Sequence, residues 1–297
     1  MAVIENMLGC RYPIIQGGMG IISNPEMVAA VLQAGGYGLL APSFVGNSDI
    51  FQEQVRKTKQ LTKRPFGANL QVMNPMVNQF TRVLADEGVK VVTVSGGSPK
   101  FLIPLIHQKG MKAIVVVSNA VNAKKCEDMG ADALIAEGSE SGGLQGFGGP
   151  STMVLVPAVV DAVKIPVIAA GGIADSRGFR AALALGAKGV QVGTRFIASK
   201  ECVAHKNYKN LVISSNETET TLVNMGMFQI RALRTPRALN HQQTGGGTFS
   251  SDGFSAKSLE QAWIGGDLDA GFLPGGQVSG LVKNILSVRE IIEQMVR

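Results

Sequence analysis

Three short stretches concentrate the residue types that can do chemistry. IAEGSESGGLQGFGGPST (residues 135–152) leaves an apolar run and enters a glycine-rich segment carrying Glu137, Glu140, Gly142, Gly143 and Gln145. Such loops sit where a backbone must bend tightly or come close to a ligand. AAGGIADS (169–176) and QVGTRF (191–196) place Gly171, Gly172, Gly193 and Thr194 at the ends of two successive apolar runs. Backbone N–H groups freed there, with the Thr194 hydroxyl, suit a phosphate. The competing reading is that these glycines only turn the chain. Fainter signals come from IIQGGMG (14–20), with Gly17, Gly18 and Met19, and from GANLQV (67–72), where Asn69 offers both a donor and an acceptor. Ser95 closes a further apolar run, KVVTVS (90–95).

The elements that must position these residues are legible in the pattern. Eight short apolar runs recur, at 12–18, 37–43, 65–72, 90–97, 112–119, 131–138, 166–172 and 189–196. Each is apolar throughout rather than alternating, as in strands buried on both faces. Amphipathic helical segments lie between them, with Asn24, Asn74, Asn119 and Asp175 as expected N-caps and Gly88, Gly130 and Gly186 just past expected C-termini. Strand–helix alternation implies parallel pairing through right-handed crossovers, and eight units imply a (β/α)8 TIM barrel of the α/β class. An open doubly wound sheet is the alternative; it is disfavoured by the even spacing and by the lack of an early GxGxxG fingerprint. The longest gap between strands holds the 135–152 stretch, which the barrel reading puts on the active-site face. A hundred residues follow the eighth strand. The expected organisation is a barrel of residues 1–197 plus 279–297, a small, mainly helical inserted domain at 198–278, a final helix within SGLVKNILSVREIIEQMVR, and a mobile polar break at 240–255.

Composition bounds the classes. Of the 297 residues, 45% are hydrophobic and 17% charged, which argues against general disorder. The net charge is +6, yet no Lys/Arg block is interleaved with aromatics, so nucleic acid is not an expected partner. Cys10, Cys126 and Cys202 are far apart and form no CxxC, so neither a disulfide framework nor a zinc site is expected. No metal site is expected. The N-terminus lacks the apolar core of a signal peptide, and no apolar run approaches the ~20 residues that cross a bilayer, so the expected location is cytoplasmic, away from membranes.

In sequence order, YPIIQGGMG, PFGANLQV, ALIAEGSESGG, STMVLVPAVVDAVKIPVIAAGGIAD, ALGAKGVQVGTRFIASKECVAHKNYK and GGQVSGLV resemble the FMN-dependent enoyl-acyl-carrier-protein reductase II and nitronate monooxygenase family, the enoyl reductase branch more closely. The resemblance covers nearly the whole chain. It implies FMN contacts from Gly18, Met19, Asn69, Glu137, Gly142, Gly143, Gly171, Gly172, Gln191, Gly193 and Thr194, and a segment around Gln277 that closes over the flavin. It also implies NAD(P)H as reductant and a small-molecule or acyl-carrier-bound acyl substrate, and it is compatible with a homodimer. One departure stands out. Where the family carries a proton-handling histidine after its Gly-Gly pair, this chain has Leu144, with Gln145 beside it. The remaining candidates on the correct loops are Gln145, Glu140 and Ser95. Of the three histidines, His107 and His205 read as structural, and His241 lies in the polar break.

The leading expectation is hydride transfer from NAD(P)H through FMN to the β-carbon of an enoyl thioester, a chemistry the cofactor carries while the protein orients it. The alternatives are nitronate oxidation, a quinone-type acceptor, a flavin-free phosphate-binding barrel enzyme and a non-catalytic FMN-binding subunit.

Overall fold

The structure, a computed structural model, describes residues 2–244 and 253–297. The centre of the expected mobile break, 245–252, lies outside the described residues. The strands are β1 (Ile14–Gln16), β2 (Leu39–Leu40), β3 (Gly67–Gln71), β4 (Val91–Ser95), β5 (Lys112–Val117), β6 (Ala133–Glu137), β7 (Gly143–Gln145), β8 (Val167–Ala170), β9 (Gly189–Val192), β10 (Thr220–Asn224) and β11 (Gln229–Leu233). Eight of them form one parallel sheet in the order β1-β9-β8-β6-β5-β4-β3-β2. Ile15 bridges Tyr37, just ahead of β2, and the Gln16 N–H donates to the Tyr37 carbonyl at 2.9 Å. The two edges therefore meet, and the sheet is a (β/α)8 barrel rather than an open doubly wound sheet. Each of the eight apolar runs supplies one barrel strand, nearly all of whose residues are buried, because helices cover the outside while side chains fill the inside.

Local chemistry sets most helix ends. The side chains of Asn24, Asn119 and Asp175 accept from backbone N–H groups of the first turns at 25–33, 120–128 and 176–184. Gly88, Gly130 and Gly186 each take a positive φ just past a helix end, which is cheap for glycine. Two expectations need correction. Met76, not Asn74, is the N-cap of the helix Val77–Asp86; Asn74 instead closes a turn by accepting from the Met76 N–H at 2.8 Å. The final helix is also shorter than expected: Gln277–Leu281 is a 3₁₀ segment, and only Val288–Val296 is α-helical, begun by a Ser287–Glu290 capping box.

The chain leaves the barrel after Ile197 and returns where Ser199 bridges Leu286. Between these points helix outweighs strand, with helices at Lys206–Ser214, Pro236–Gln243 and Ala256–Leu259, the last running into a π-helical turn. The sequence reading did not anticipate the β10–β11 hairpin. It pairs antiparallel with β7 through Gln229↔Gln145, Ile230↔Leu144 and Arg231↔Gly143. The glycine-rich loop after β6 is thus one strand of a sheet shared with the insert.

Candidate active site at the barrel mouth

Strand register explains why so few polar residues matter. Side-by-side residues of parallel strands share a face, and every second residue along a strand returns to it. Asn69 registers with Thr93, Thr93 with Ile114 and Ile114 with Ala133; two steps on, Gln71 registers with Ser95; and two steps beyond Ile135, Glu137 registers with Ala170 and Ala170 with Gln191. Asn69, Thr93, Ser95, Glu137 and Gln191 therefore share one face. Gly18, past the end of the non-adjacent strand β1, packs against Asn69, which shows that face to be the inner one. The Thr93 hydroxyl donates to Asn69 Oδ1 at 2.9 Å, and Asn69 Nδ2 donates to Ser95 Oγ at 3.1 Å. Thr93 was not among the residues singled out from sequence; it lies two residues before Ser95 and so on the same face.

The loop after β1 is held from below. Buried Gln16 donates to the Gly17 carbonyl and to Ser23 Oγ, and its Oε1 accepts from the Leu39 N–H. Ser23 Oγ in turn accepts from the Met19 N–H at 2.8 Å. A Cβ on Gly18 would fall 2.7 Å from Asn69 Cβ, so only glycine lets this loop lie against β3. A Cβ on Gly193 would meet nothing closer than Met19 Sδ at 3.9 Å, so this backbone opens onto space beside Met19. Gly171 and Gly172 have φ of 94° and 71°, a left-handed path that favours glycine.

The opposite side of the mouth is tied together by backbone contacts and a few side chains. Thr152 donates from its N–H and its hydroxyl to the Glu140 carboxylate, both at 2.9 Å. Glu140 therefore anchors the loop to the first turn of the helix Thr152–Ala162. The Glu140 carbonyl accepts from the Gln277 N–H at 3.0 Å, and the Gly276 N–H donates to Thr194 Oγ1 at 3.0 Å. A Cβ on Gly142 would fall 2.7 Å from the Gly275 and Gly276 backbone. The Gly275–Gln277 segment thus lies directly over the loop, joining it to the end of β9. Arg231 on β11 donates to the Ser139 carbonyl at 2.8 Å and to Thr220 Oγ1 at 3.0 Å, and burial lowers its pKa, with the Glu140 charge opposing. Gln145 Nε2 donates to the carbonyl and the hydroxyl of Ser141. Sequence reasoning missed Thr152 and Arg231, whose partners come from other segments, and Gln16 and Ser141, which stand in no motif although part of their bonding is local.

Two groups at the mouth are electrostatically unusual. Burial pushes the Glu137 carboxyl up to about 7, against the opposing pull of a hydrogen bond from Ser141. Gln191 Oε1 is buried without a hydrogen-bond partner. An orphaned buried acceptor costs about 1–3 kcal/mol and persists where a ligand donor completes it. The histidines lie elsewhere. His107 pairs with Asp132 at 2.9 Å, His205 caps the helix Lys206–Ser214, and buried His241 bonds the Asn224 carbonyl at 3.0 Å. Among the described residues no cluster of metal-ligating side chains occurs, and no helix is long and apolar enough to cross a membrane.

A glycine-lined barrel mouth with an uncompleted acceptor and an inner polar rung suits a bound ligand that brings its own hydrogen-bond donors. The family model for nitronate monooxygenase matches residues 2–83 and 76–297, and the chain belongs to that family, whose members are generally FMN-dependent. It is 31% identical to a (3aS,4S,5R,7aS)-5-hydroxy-7a-methyl-1-oxo-octahydro-1H-indene-4-carboxyl-CoA dehydrogenase of Rhodococcus jostii, covering 99% of this chain and 94% of that one. It is 33% identical to a probable nitronate monooxygenase of Staphylococcus saprophyticus over 75% of each chain. Among solved structures, FabK from Thermotoga maritima superposes with a TM-score of 0.90 at 38% identity, covering 99% of this chain and 94% of that one. Nitroalkane oxidase from Streptomyces ansochromogenes gives 0.86 at 27%, over 98% and 96%.

The residues present fit FMN. The orphaned Gln191 Oε1 awaits a donor, and Gly193 leaves open space beside Met19.

Proposed function

We propose that this protein is an FMN-dependent NAD(P)H oxidoreductase that reduces the carbon–carbon double bond of an enoyl thioester. When bound, FMN supplies the hydride chemistry between the nicotinamide and the electron-poor alkene. Gly18, Met19, Asn69, Gln191 and the cover residues Gly142 and Gly143 would hold the ring and ribityl chain, while Gly171, Gly172, Gly193 and Thr194 would hold the phosphate. Thr93 and Ser95 keep the Asn69 amide oriented. Thr194 has one lone pair committed to the Gly276 N–H, which leaves its own O–H free to donate. Gln277, whose N–H is fixed on the Glu140 carbonyl, helps exclude water from above.

The observation that carries the choice of reaction is Leu144. We read it as standing where the family places its histidine, and its backbone is locked into strand pairing with Ile230. An aliphatic side chain can neither take nor give a proton, so chemistry that needs a base there is disfavoured, while hydride addition to an alkene is not. Three further observations favour an acyl thioester: the likeness to FabK, the carboxyl-CoA relative, and the exposed apolar Met73, Phe147 and Met227 beside β3, β7 and the hairpin turn. Glu140, committed to the first turn of the helix Thr152–Ala162, and Gln145, committed to Ser141, position the loop rather than react.

The test is product analysis. Purified holoenzyme with NADH or NADPH and crotonyl thioester should yield the saturated thioester by mass spectrometry, at a rate exceeding nitronate turnover under oxygen. Nitronate turnover without thioester reduction would reverse the assignment.

A further inference from the structure

We propose that Arg195 is a positioning residue for the cofactor site. It anchors one end of the segment 276–284 to the short helix that carries Thr194, so the phosphate-side residues and the cover over them are held as one unit. This inference rests on the flavin-binding reading above.

Thr194 and Arg195 open the helix Thr194–Ile197, which follows β9 after Gly193. Thr194 Oγ1 accepts from the Gly276 N–H at 3.0 Å. Arg195 Nη2 donates to the Asn284 carbonyl at 2.9 Å and to the Ala198 carbonyl at 3.3 Å. Two consecutive residues thus hold the two ends of one segment. Between those ends the Gln277 N–H donates to the Glu140 carbonyl, Ser279 Oγ donates to the Gly276 carbonyl at 2.8 Å, and Val278, Ser279 and Val282 are buried.

The two ends are not equal. The near end rests on backbone N–H groups of Gly276 and Gln277 bonded to neutral acceptors. Beyond the far end the chain goes on pairing with residues just after the same helix. Ser199 bridges Leu286, the Lys200 N–H donates to the Leu286 carbonyl at 2.8 Å, and Glu201 accepts from the Val288 N–H at 2.9 Å. Of this series, the Arg195 contact lies nearest along the chain to the cover. It sets where the fixed return of the chain ends and the cover begins.

Arginine is a costly choice for that place. Arg195 is 5% exposed, and among the described residues no carboxylate pairs with it. Burial pushes its pKa down to about 10, which leaves it charged at neutral pH. A buried cation without a counter-charge is unfavourable, and an apolar side chain could fill the same space. An apolar side chain could not bond two backbone carbonyls, and bonds from a charged donor are the stronger kind. With Asn284 anchored, the Gly276 N–H stays on Thr194, and the Thr194 O–H stays free for the cofactor phosphate. Without the anchor, the near-end bonds hold the cover alone.

Two measurements on the holoenzyme test this. FMN release is followed on dilution by recovery of free-flavin fluorescence, and amide hydrogen exchange is followed by mass spectrometry. Arg195→Met should speed release about tenfold, the loss expected for one charge-assisted hydrogen bond, with little change in the association rate. Exchange in 276–284 should rise by a similar factor while that of β4, β5 and β6 stays unchanged. Arg195→Lys, which keeps a cation and its donors on a shorter stem, should recover part of both effects. If Arg195→Met does not fold, Arg195→Gln, which keeps an N–H donor but lacks the length to reach both carbonyls, should show the same changes at smaller size. Unchanged release, or exchange rising equally in 276–284 and in the barrel strands, would overturn the anchoring role. A wild-type protein that binds no FMN would instead overturn the flavin reading beneath it.

Discussion

On the strand side of the mouth, position is enforced by packing. Gly18 lies so close to Asn69 that no side chain fits between them, and Gln16, Ser23, Thr93 and Ser95 hold the β1 loop and the Asn69 amide in place. On the cover side, the β6 loop is held by three registered pairs to β11, by Arg231, and by backbone contact with Gly275–Gln277. The first side is part of the barrel core. The second is an assembly of segments far apart in sequence, each contributing little alone. The floor is thus set within the barrel core, and the cover by contacts between the β6 loop, the hairpin and the Gly275–Gln277 segment.

Four substitutions or conditions would sharpen or break that contrast. The largest effect should follow Gly142→Val, whose side chain meets the Gly275 and Gly276 backbone. Lifting the cover should lower kcat/KM about 10²-fold while the circular dichroism of the barrel stays unchanged; an unaltered kcat/KM would mean the cover is not needed. Next comes pH. The Glu137 carboxyl is raised from 4.5 to about 7 in the folded protein, so between these values the native state binds a proton that the unfolded state has lost. Denaturant titrations of the apoprotein should show stability falling across this window by on the order of a few kcal/mol and levelling above it, with Glu137→Gln abolishing the slope. Third, Arg231→Met removes one hydrogen bond that ties the hairpin to the loop, to the Ser139 carbonyl, and one within the hairpin, to Thr220. It should cost about 1–3 kcal/mol and speed FMN release, whereas an unchanged release rate would locate retention wholly in the floor. Smallest and most discriminating is Gln191→Leu. Relieving the orphaned acceptor should stabilise the apoprotein by about 1 kcal/mol, yet weaken FMN binding about tenfold. Equal changes in apo and holo forms would show that Gln191 does not face the cofactor.

The floor was legible in the sequence and the cover largely was not, for a physical reason. Strands buried on both faces announce themselves as apolar runs, and caps such as Asn119 and Asp175 act within three residues of themselves. Asn69, Glu137 and Gln191 stood out at run ends and through family resemblance. Arg231 carries no local mark, since what it does depends on pairing such as Leu144 with Ile230 across the insert, and Thr152 and Ser141 stand in no recognisable motif. A three-residue strand such as GLQ also has too short a pattern to reveal its period. Asn74 erred differently: an asparagine that can cap a helix can equally close the turn before it, and here it does the latter.

The central claim, a flavin reductase of enoyl thioesters, is most directly tested by one anaerobic experiment. The holoenzyme is reduced with NADH, mixed with crotonyl thioester, and followed through return of the oxidised-flavin absorbance. The account predicts reoxidation that rises with thioester concentration and yields one equivalent of saturated product per flavin. Reoxidation no faster than with buffer alone, after full reduction by NADH, would contradict it.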